Sequence, residues 1–286
     1  MSMLGIIGGS GLYDLPGLED VVETTYDTPW GAPSSPIITG TLGPTKIAFL
    51  SRHGRGHRLS PTEIPFRANI AALHQAGVTH VVSLSAVGSL KEELPPRTAV
   101  IPDQIIDLTR LRERTFFEHG IVAHVGIADP FSNVLREAIR PLAEAVAPKT
   151  QVGGTYICIE GPQFSTRAES HLFRSWGADI IGMTAMPEAR LAREAGLAYA
   201  TIAMVTDFDV WHQDAEDVSV DVVERVMADN IAVGKAILTA LAQAGLPPVE
   251  PEIRDALAGA IITRNEAISE EGRATLAFFA PRPAED

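Results

Sequence analysis

One cysteine, Cys158, is all that the 286 residues contain, so no disulfide can form within the chain. A chain of this length buries roughly 75% of the surface its unfolded form exposes, and it needs no such staple. Cys158 reads as a small buried hydrophobe in a protein suited to a reducing compartment. Basic residues are also few: 23 Lys and Arg against 36 Asp and Glu give a net charge of −13. That balance disfavours a nucleic-acid backbone, which is bound through pooled Lys and Arg, and adsorption to anionic membranes. No apolar run approaches the ~20 residues of a membrane span. The opening stretch MSMLGIIGGSGLYD lacks the basic segment of a secretory signal. There is no internal repeat, heptad pattern or low-complexity block. These absences predict a cytoplasmic protein that acts on something small.

What is present is an alternation of short apolar runs and helical stretches. Met3–Gly8, Lys46–Leu50, Val78–Leu84, Thr98–Ile101, Gln104–Asp107, Gly154–Ile159, Asp179–Ile181 and Ala198–Val205 read as strands. Pro65–Gly77, Asn133–Ala147, Arg167–Gly177, Pro187–Gly196 and about Ser219–Ala244 read as helices, with Ser219 a candidate cap. Such alternation predicts an α/β sheet, and the length alone leaves one domain or two open. After about Ser269 neither period continues, and the last residues read as a loose tail.

Several apolar runs end in small or polar loops: Gly8–Gly11, Ser51–His57, Ser85–Gly88, Gly182–Thr184 and Thr206–Asp209. Ligands of open α/β sheets sit outside strand ends, so these loops are candidates to converge. Gly8, Gly9 and Gly11 permit close backbone approach, so amides and the Ser10 hydroxyl can hold an anion; a tight turn is the plain alternative. The run is a poor dinucleotide fingerprint, with Asp14 where a third glycine belongs, and it lacks the Gly-Lys-Ser/Thr of a P-loop. Arg52-His53-Gly54-Arg55-Gly56-His57-Arg58 concentrates positive charge in an acidic chain. It suits phosphate or carboxylate, or is a solvated loop. His53 and His57 have metal-ligand spacing only on a helix, which Gly54 and Gly56 oppose. Asp207 and Asp209 fall on one side if the strand continues. Paired there, they can accept from an amine, shuttle a proton, hold a divalent cation, or merely cap and solvate.

The ordered set is more specific than any member. Gly8-Gly9-Ser10-Gly11, Arg52–His57, Ser85-Ala86-Val87-Gly88-Ser89-Leu90, Ile159–Glu169, Gly182-Met183-Thr184, Pro187-Glu188 and Thr206–Trp211 resemble the trimeric purine nucleoside phosphorylase family, in its S-methyl-5'-thioadenosine-cleaving branch. The resemblance runs from about Leu4 to Ala244. It implies one phosphorylase-type domain, residues 1–268, with a central twisted mixed β-sheet flanked by helices, then a C-terminal tail, 269–286. It implies phosphorolysis of methylthioadenosine to adenine and 5-methylthioribose 1-phosphate, a purine and methionine salvage step. No cofactor or metal is required, since inorganic phosphate is a co-substrate.

By the same resemblance, phosphate is held by Ser10, Arg52, His53, Ser85, the Ala86 backbone and Thr184. Asp207 sits at the purine N7 as the catalytic acid, and Asp209 accepts from the 6-amino group. Phe164 stacks on the base beside Ser165, and Met183 lies along the ribose. Val220 and Val223 wall the 5' group, and His124 comes from a neighbouring subunit of a homotrimer. Two positions depart from the pattern. Glu224 stands where an apolar residue is expected, and Gly182 stands where several relatives have Asn. Rival readings are a nucleoside phosphorylase of broader scope taking adenosine, inosine or methylthioinosine, a metal-dependent nucleotide-sugar transferase built on the Asp-x-Asp, and a non-catalytic nucleotide-binding module.

Overall fold

The computed structural model describes residues 2–9, 15–212 and 220–280, leaving aside the side chains of residues 220–225. The chain begins with β1 (Met3–Gly8), β2 (Glu19–Thr24), β3 (Ile37–Leu42) and β4 (Thr45–Ser51). Next come α1 (Phe66–Ala76), β5 (His80–Ser89), β6 (Thr98–Ile101), β7 (Gln104–Asp107), α2 (Asn133–Val146) and β8 (Lys149–Val152). They are followed by β9 (Thr155–Cys158), α3 (Arg167–Ser175), β10 (Ile180–Gly182), α4 (Ala185–Glu194), β11 (Ala198–Asp207) and α5 (Val220–Ala244). Two short helices, α6 (Pro251–Arg254) and α7 (Glu270–Phe278), close the chain. Every strand and helix expected from the sequence is present. Ser219, the candidate cap of α5, lies outside the described residues.

The sheet is mixed, as expected. β1 runs parallel to β4 and β5, and β5 parallel to β11. The edge β2–β3–β4 is antiparallel. β5 is the pivot of this sheet. Its first residues, His80–Ser83, lie between β1 and β11. Its last two, Gly88 and Ser89, pair instead with antiparallel β10. Between those two partners no strand among the described residues covers the edge at Leu84–Val87, which we call the open edge. The sequence reading ended this strand at Leu84 and made Ser85–Gly88 a loop. The strand in fact continues through it, because β11 pairs with β5 as far as Gly88.

Side chains alternate across the strands, which is how a sheet buried on both faces is built. On one face Ile7, Val81, Ala203 and Val205 pack with α1 and α4 residues such as Ile70 and Leu191. On the other, Leu4, Ile6, Val82, Ile202 and Met204 pack with Leu135 and Ile139 of α2 and Ile237 and Leu241 of α5.

The loose tail expected after Ser269 needs correction. Ser269 caps α7 by accepting from the Gly272 amide at 3.0 Å. Phe279 is buried, with its ring 4.5 Å from Phe116 and 5.5 Å from Trp30, centroid to centroid. The helix forms because this aromatic anchor supplies the burial that nine residues alone cannot. Residues 281–286 lie outside the description.

Candidate active site

The end of β11 carries the two aspartates. Asp209 has left the strand: its φ of 53° is left-handed, a conformation uncommon outside glycine. The turn, not strand alternation, brings the carboxylates together, which corrects the geometric expectation. The Asp209 amide donates to Asp207 Oδ1 at 2.8 Å. Both side chains are deeply buried, 5% and 4% exposed. Burial therefore raises both pKa values: Asp207 is pushed above the ordinary carboxylate range, and Asp209 up to about 6. Asp209 Oδ2 has no hydrogen-bond partner among the described residues, and Ser170 faces that side chain.

Thr206 offers Asp207 a place to keep a proton. Its Oγ1 lies 2.6 Å from Asp207 Oδ2 and 3.2 Å from the Val87 carbonyl. One hydroxyl proton cannot serve both acceptors. With Asp207 protonated, the acid donates to Thr206 and Thr206 donates to Val87, so every group is satisfied. Gly88 makes the approach of the two strands feasible. A Cβ there would stand 3.0 Å from Asp207 Oδ1 and 3.4 Å from Asp209 Cβ.

The neighbouring loops are tied to this turn. Arg167 at the start of α3 donates to the Val210 carbonyl at 2.7 Å, and Trp211 Nε1 to the Ser89 carbonyl at 2.7 Å. A capping box between Thr166 and Glu169 fixes the chain just after Phe164 and Ser165. Phe164 is 44% exposed, an apolar ring held at the surface, and the buried Ser165 Oγ has no partner among the described residues. Met183 is half-buried, and its carbonyl accepts from Arg112 Nη1 at 2.6 Å.

Arg112 is a residue the sequence reading missed. Its guanidinium also donates to the carbonyls of Met186 and Glu160, and its Nε to Glu160 Oε1. Glu160 accepts further from Thr62 and the amides of Arg110 and Leu111, and these bonds hold it down at about 2 despite partial burial. The pair clamps the 159–161 and 183–186 segments together. Arg112 alternates with Arg110 and Arg114, and nothing in the sequence marks which of the three turns inward to form such a clamp.

The arginine loop differs from expectation. Arg52 is 2% exposed, and its Nε donates to Glu188 Oε1 at 2.6 Å. Its terminal nitrogens reach Ser83 Oγ at 2.6 Å and the Leu84 carbonyl at 3.2 Å. Glu188 accepts also from the Tyr199 hydroxyl. Arg55 pairs with Glu23 at the surface. The charges of Arg52 and Arg55 are thus matched by carboxylates rather than pooled, and Arg58 Nε donates to the Arg55 carbonyl. His53 donates from Nδ1 to the Leu59 carbonyl at 2.8 Å and stacks on His57 at 4.1 Å. Burial, then the Arg52 charge, lowers its pKa to about 4, so near pH 7 it is neutral and Nε2 is an acceptor.

Ser85 and Ala86 lie on the open edge of β5, and Ala86 is exposed within the sheet. Ser85 Oγ is buried without a partner among the described residues. Thr184 precedes α4, is buried, and makes no capping bond with its side chain. Ser10 and the side chains of Val220, Val223 and Glu224 lie outside the described residues. His124 is exposed, and its amide donates to the Ala260 carbonyl. Among the described residues no hydrogen bond, ion pair or ring contact joins it to the aspartates. No group of three or more His, Cys, Asp or Glu with metal-binding geometry occurs among the described residues.

This arrangement has known counterparts. The Phosphorylase superfamily model matches residues 3–243. The chain belongs to that superfamily. Among its members, the S-methyl-5'-thioadenosine phosphorylase of Koribacter versatilis is 52% identical over 266 residues, covering 93% of this chain and 91% of its own. The enzyme of the same name from Bradyrhizobium diazoefficiens is 54% identical over 242 residues, covering 85% and 83%. A crystal structure of methylthioadenosine phosphorylase sourced from an antarctic soil metagenomic library superposes with TM-score 0.89 at 47% identity, covering 98% of this chain and 99% of that one. The methylthioadenosine phosphorylase of Schistosoma mansoni, solved with adenine, gives TM-score 0.81 at 34% identity and 98% coverage of both.

Proposed function

We propose that the chain is a pentosyltransferase that phosphorolyses S-methyl-5'-thioadenosine to adenine and 5-methylthioribose 1-phosphate. The observation that carries this reading is the buried Asp207–Asp209 pair at the end of β11, across β5 from its open edge, in a chain 52% identical to a phosphorylase of that specificity. A phosphate oxygen forms a bond to the sugar C1' as the C1'–N9 bond breaks. The bonding pair passes to the purine, and Asp207 delivers a proton to N7, leaving neutral adenine. Burial favours the protonated acid before transfer. Asp209, with an unshared oxygen, accepts from the 6-amino group, a contact that 6-oxopurines cannot make. Phe164 and Ser165 receive the base, and Met183 the ribose.

Ser10, Ser85, the Ala86 backbone and Thr184 donate to phosphate. Arg52 contributes the Nη1 hydrogen left after Glu188, Ser83 and Leu84, since its amide already donates to the Gly8 carbonyl. Neutral His53 accepts from a phosphate oxygen that keeps its proton. Val220 and Val223 wall the 5' group, and His124 completes the site of a neighbour in a homotrimer. The reaction runs without metal or organic cofactor, in the cytoplasm. Supporting the last point, Cys158 is a buried free thiol, and no described helix is long and apolar enough to cross a membrane.

The test is release of the free purine base, adenine from methylthioadenosine and adenosine and hypoxanthine from methylthioinosine and inosine, with and without phosphate and EDTA. Strictly phosphate-dependent, EDTA-indifferent turnover, highest for methylthioadenosine, is expected. Loss of turnover in EDTA would sink the metal-free mechanism.

A further inference from the structure

Tyr156 is fully buried on β9, and its hydroxyl has no hydrogen-bond partner by geometry among the described residues. Strand register places it beside Ile180 of β10, two residues before Gly182. The phenol runs along that face and fills the space where a residue-182 side chain would begin. A Cβ on Gly182 would stand 2.0 Å from the hydroxyl oxygen and 2.7 Å from Cζ. Gly182 is therefore the slot that admits the tyrosine ring.

Packing alone requires only the ring. A phenylalanine would fill the same slot without burying a polar atom, so the hydroxyl costs free energy unless it finds a partner. The polar groups facing it are the Thr184 backbone and the Ser85 side chain, with the Arg52 charge and the Cys158 thiol nearby. Ser85 Oγ, too, is buried without a partner. Two lone hydroxyls thus meet at the open edge of β5, each beside a residue of the phosphate side.

We propose that Tyr156 is a positioning residue of the anion site, linking the Thr184 amide to the Ser85 hydroxyl. The donors then run in one direction. The Thr184 N–H donates to Tyr156 Oη, the Tyr156 hydroxyl donates to Ser85 Oγ, and the Ser85 proton is left to point at the anion. Each bond polarises the next towards the negative charge. Burial raises the pKa of the phenol further, so it stays protonated and remains a donor. The inference rests on the reading of Ser85 and Thr184 as phosphate ligands.

The test compares wild type with Tyr156→Phe, which keeps the ring and removes one oxygen. Phosphate Kd is read by calorimetry, with KM for phosphate and for methylthioadenosine beside it. Loss of one hydrogen bond in the chain is expected to weaken phosphate about 3–10-fold in both Kd and KM. The nucleoside KM should stay within about twofold, and the unfolding midpoint should not fall. Unchanged phosphate Kd in Tyr156→Phe overturns the inference, as does a uniform loss in both KM values with a lowered midpoint. A second comparison uses Tyr156→Leu alone and with Gly182→Ser, which returns a hydroxyl to the vacated volume. Recovery of phosphate affinity in the double variant supports the positioning role, and no recovery speaks against it. Wild type that binds no phosphate would overturn the assignment of the anion site itself, a result distinct from the failure of Tyr156 alone.

Discussion

At Asp207 the decisive matter is where one proton resides. The carboxyl is buried and touches two donors: the Asp209 amide at Oδ1 and the Thr206 hydroxyl at Oδ2. Both bonds favour the anion, and desolvation, the largest influence, favours the acid. The Val87 carbonyl tips the local arrangement, because Thr206 can satisfy it only when Asp207 brings its own proton. Asp207→Asn keeps an amide able to hydrogen-bond N7 but has no proton to transfer. Turnover of methylthioadenosine should fall about 10²–10⁴-fold, the range for a lost general acid. Phosphate affinity should be little changed, since none of the phosphate-side donors belongs to this side chain. Near-wild-type adenine release in a steady-state assay would remove Asp207 from that role.

Across elements, the site depends on β5 being held open at one edge and closed at the other, and Arg52 is a main fastening. From the end of β4 it reaches the Ser83 hydroxyl and the Leu84 carbonyl just before the open edge, with Glu188 of α4 neutralising it. Glu188→Ala would leave the guanidinium charged and unpaired in the core. A destabilisation of about 3–5 kcal/mol is expected, because breaking a buried pair costs far more than the pair contributes. A shift in the denaturant midpoint corresponding to less than about 1 kcal/mol would mean that Arg52 is solvated or paired otherwise. Sequence could locate Arg52 but not its partner, 136 residues away along the chain. The same limit applies to Arg112 and Glu160, whose roles follow from packing rather than spacing. The buried runs β1, β5 and β11 were legible because near-continuous apolar stretches mark strands covered on both faces. Exposed β2, β3 with its interspersed threonines and Gly40, and short β8 lacked such a pattern, and none of the three was foreseen. The aspartates were found as a pair, but the turn that joins them depends on a left-handed residue that no alternation rule predicts.

For the whole molecule, the least legible feature was the C-terminal helix, whose anchor is assembled from distant parts. Phe279 packs on Phe116 and Trp30, and Phe116 is fixed in turn by Glu194 at the end of α4. Glu194 Oε2 accepts from the Phe116 amide at 2.8 Å and Oε1 from Thr115 Oγ1 at 2.7 Å. Burial outweighs those bonds and raises its pKa from 4.5 to about 7. The folded state therefore binds this proton more tightly than the unfolded state. The contribution to stability is fully present below about pH 4.5, declines above it, and is lost as pH rises through about 7. In Glu194→Gln the side chain can still accept from Phe116 and can donate to Thr115. It carries no charge at any pH. The variant should match wild type near pH 4.5 and melt a few degrees higher at pH 8, with the gap opening between those values. Thermal melts of both proteins across that range, followed by far-ultraviolet circular dichroism, read the difference. A gap that stays constant with pH would mean that Glu194 titrates as an ordinary carboxylate, and that its two hydrogen bonds, not its burial, set its charge.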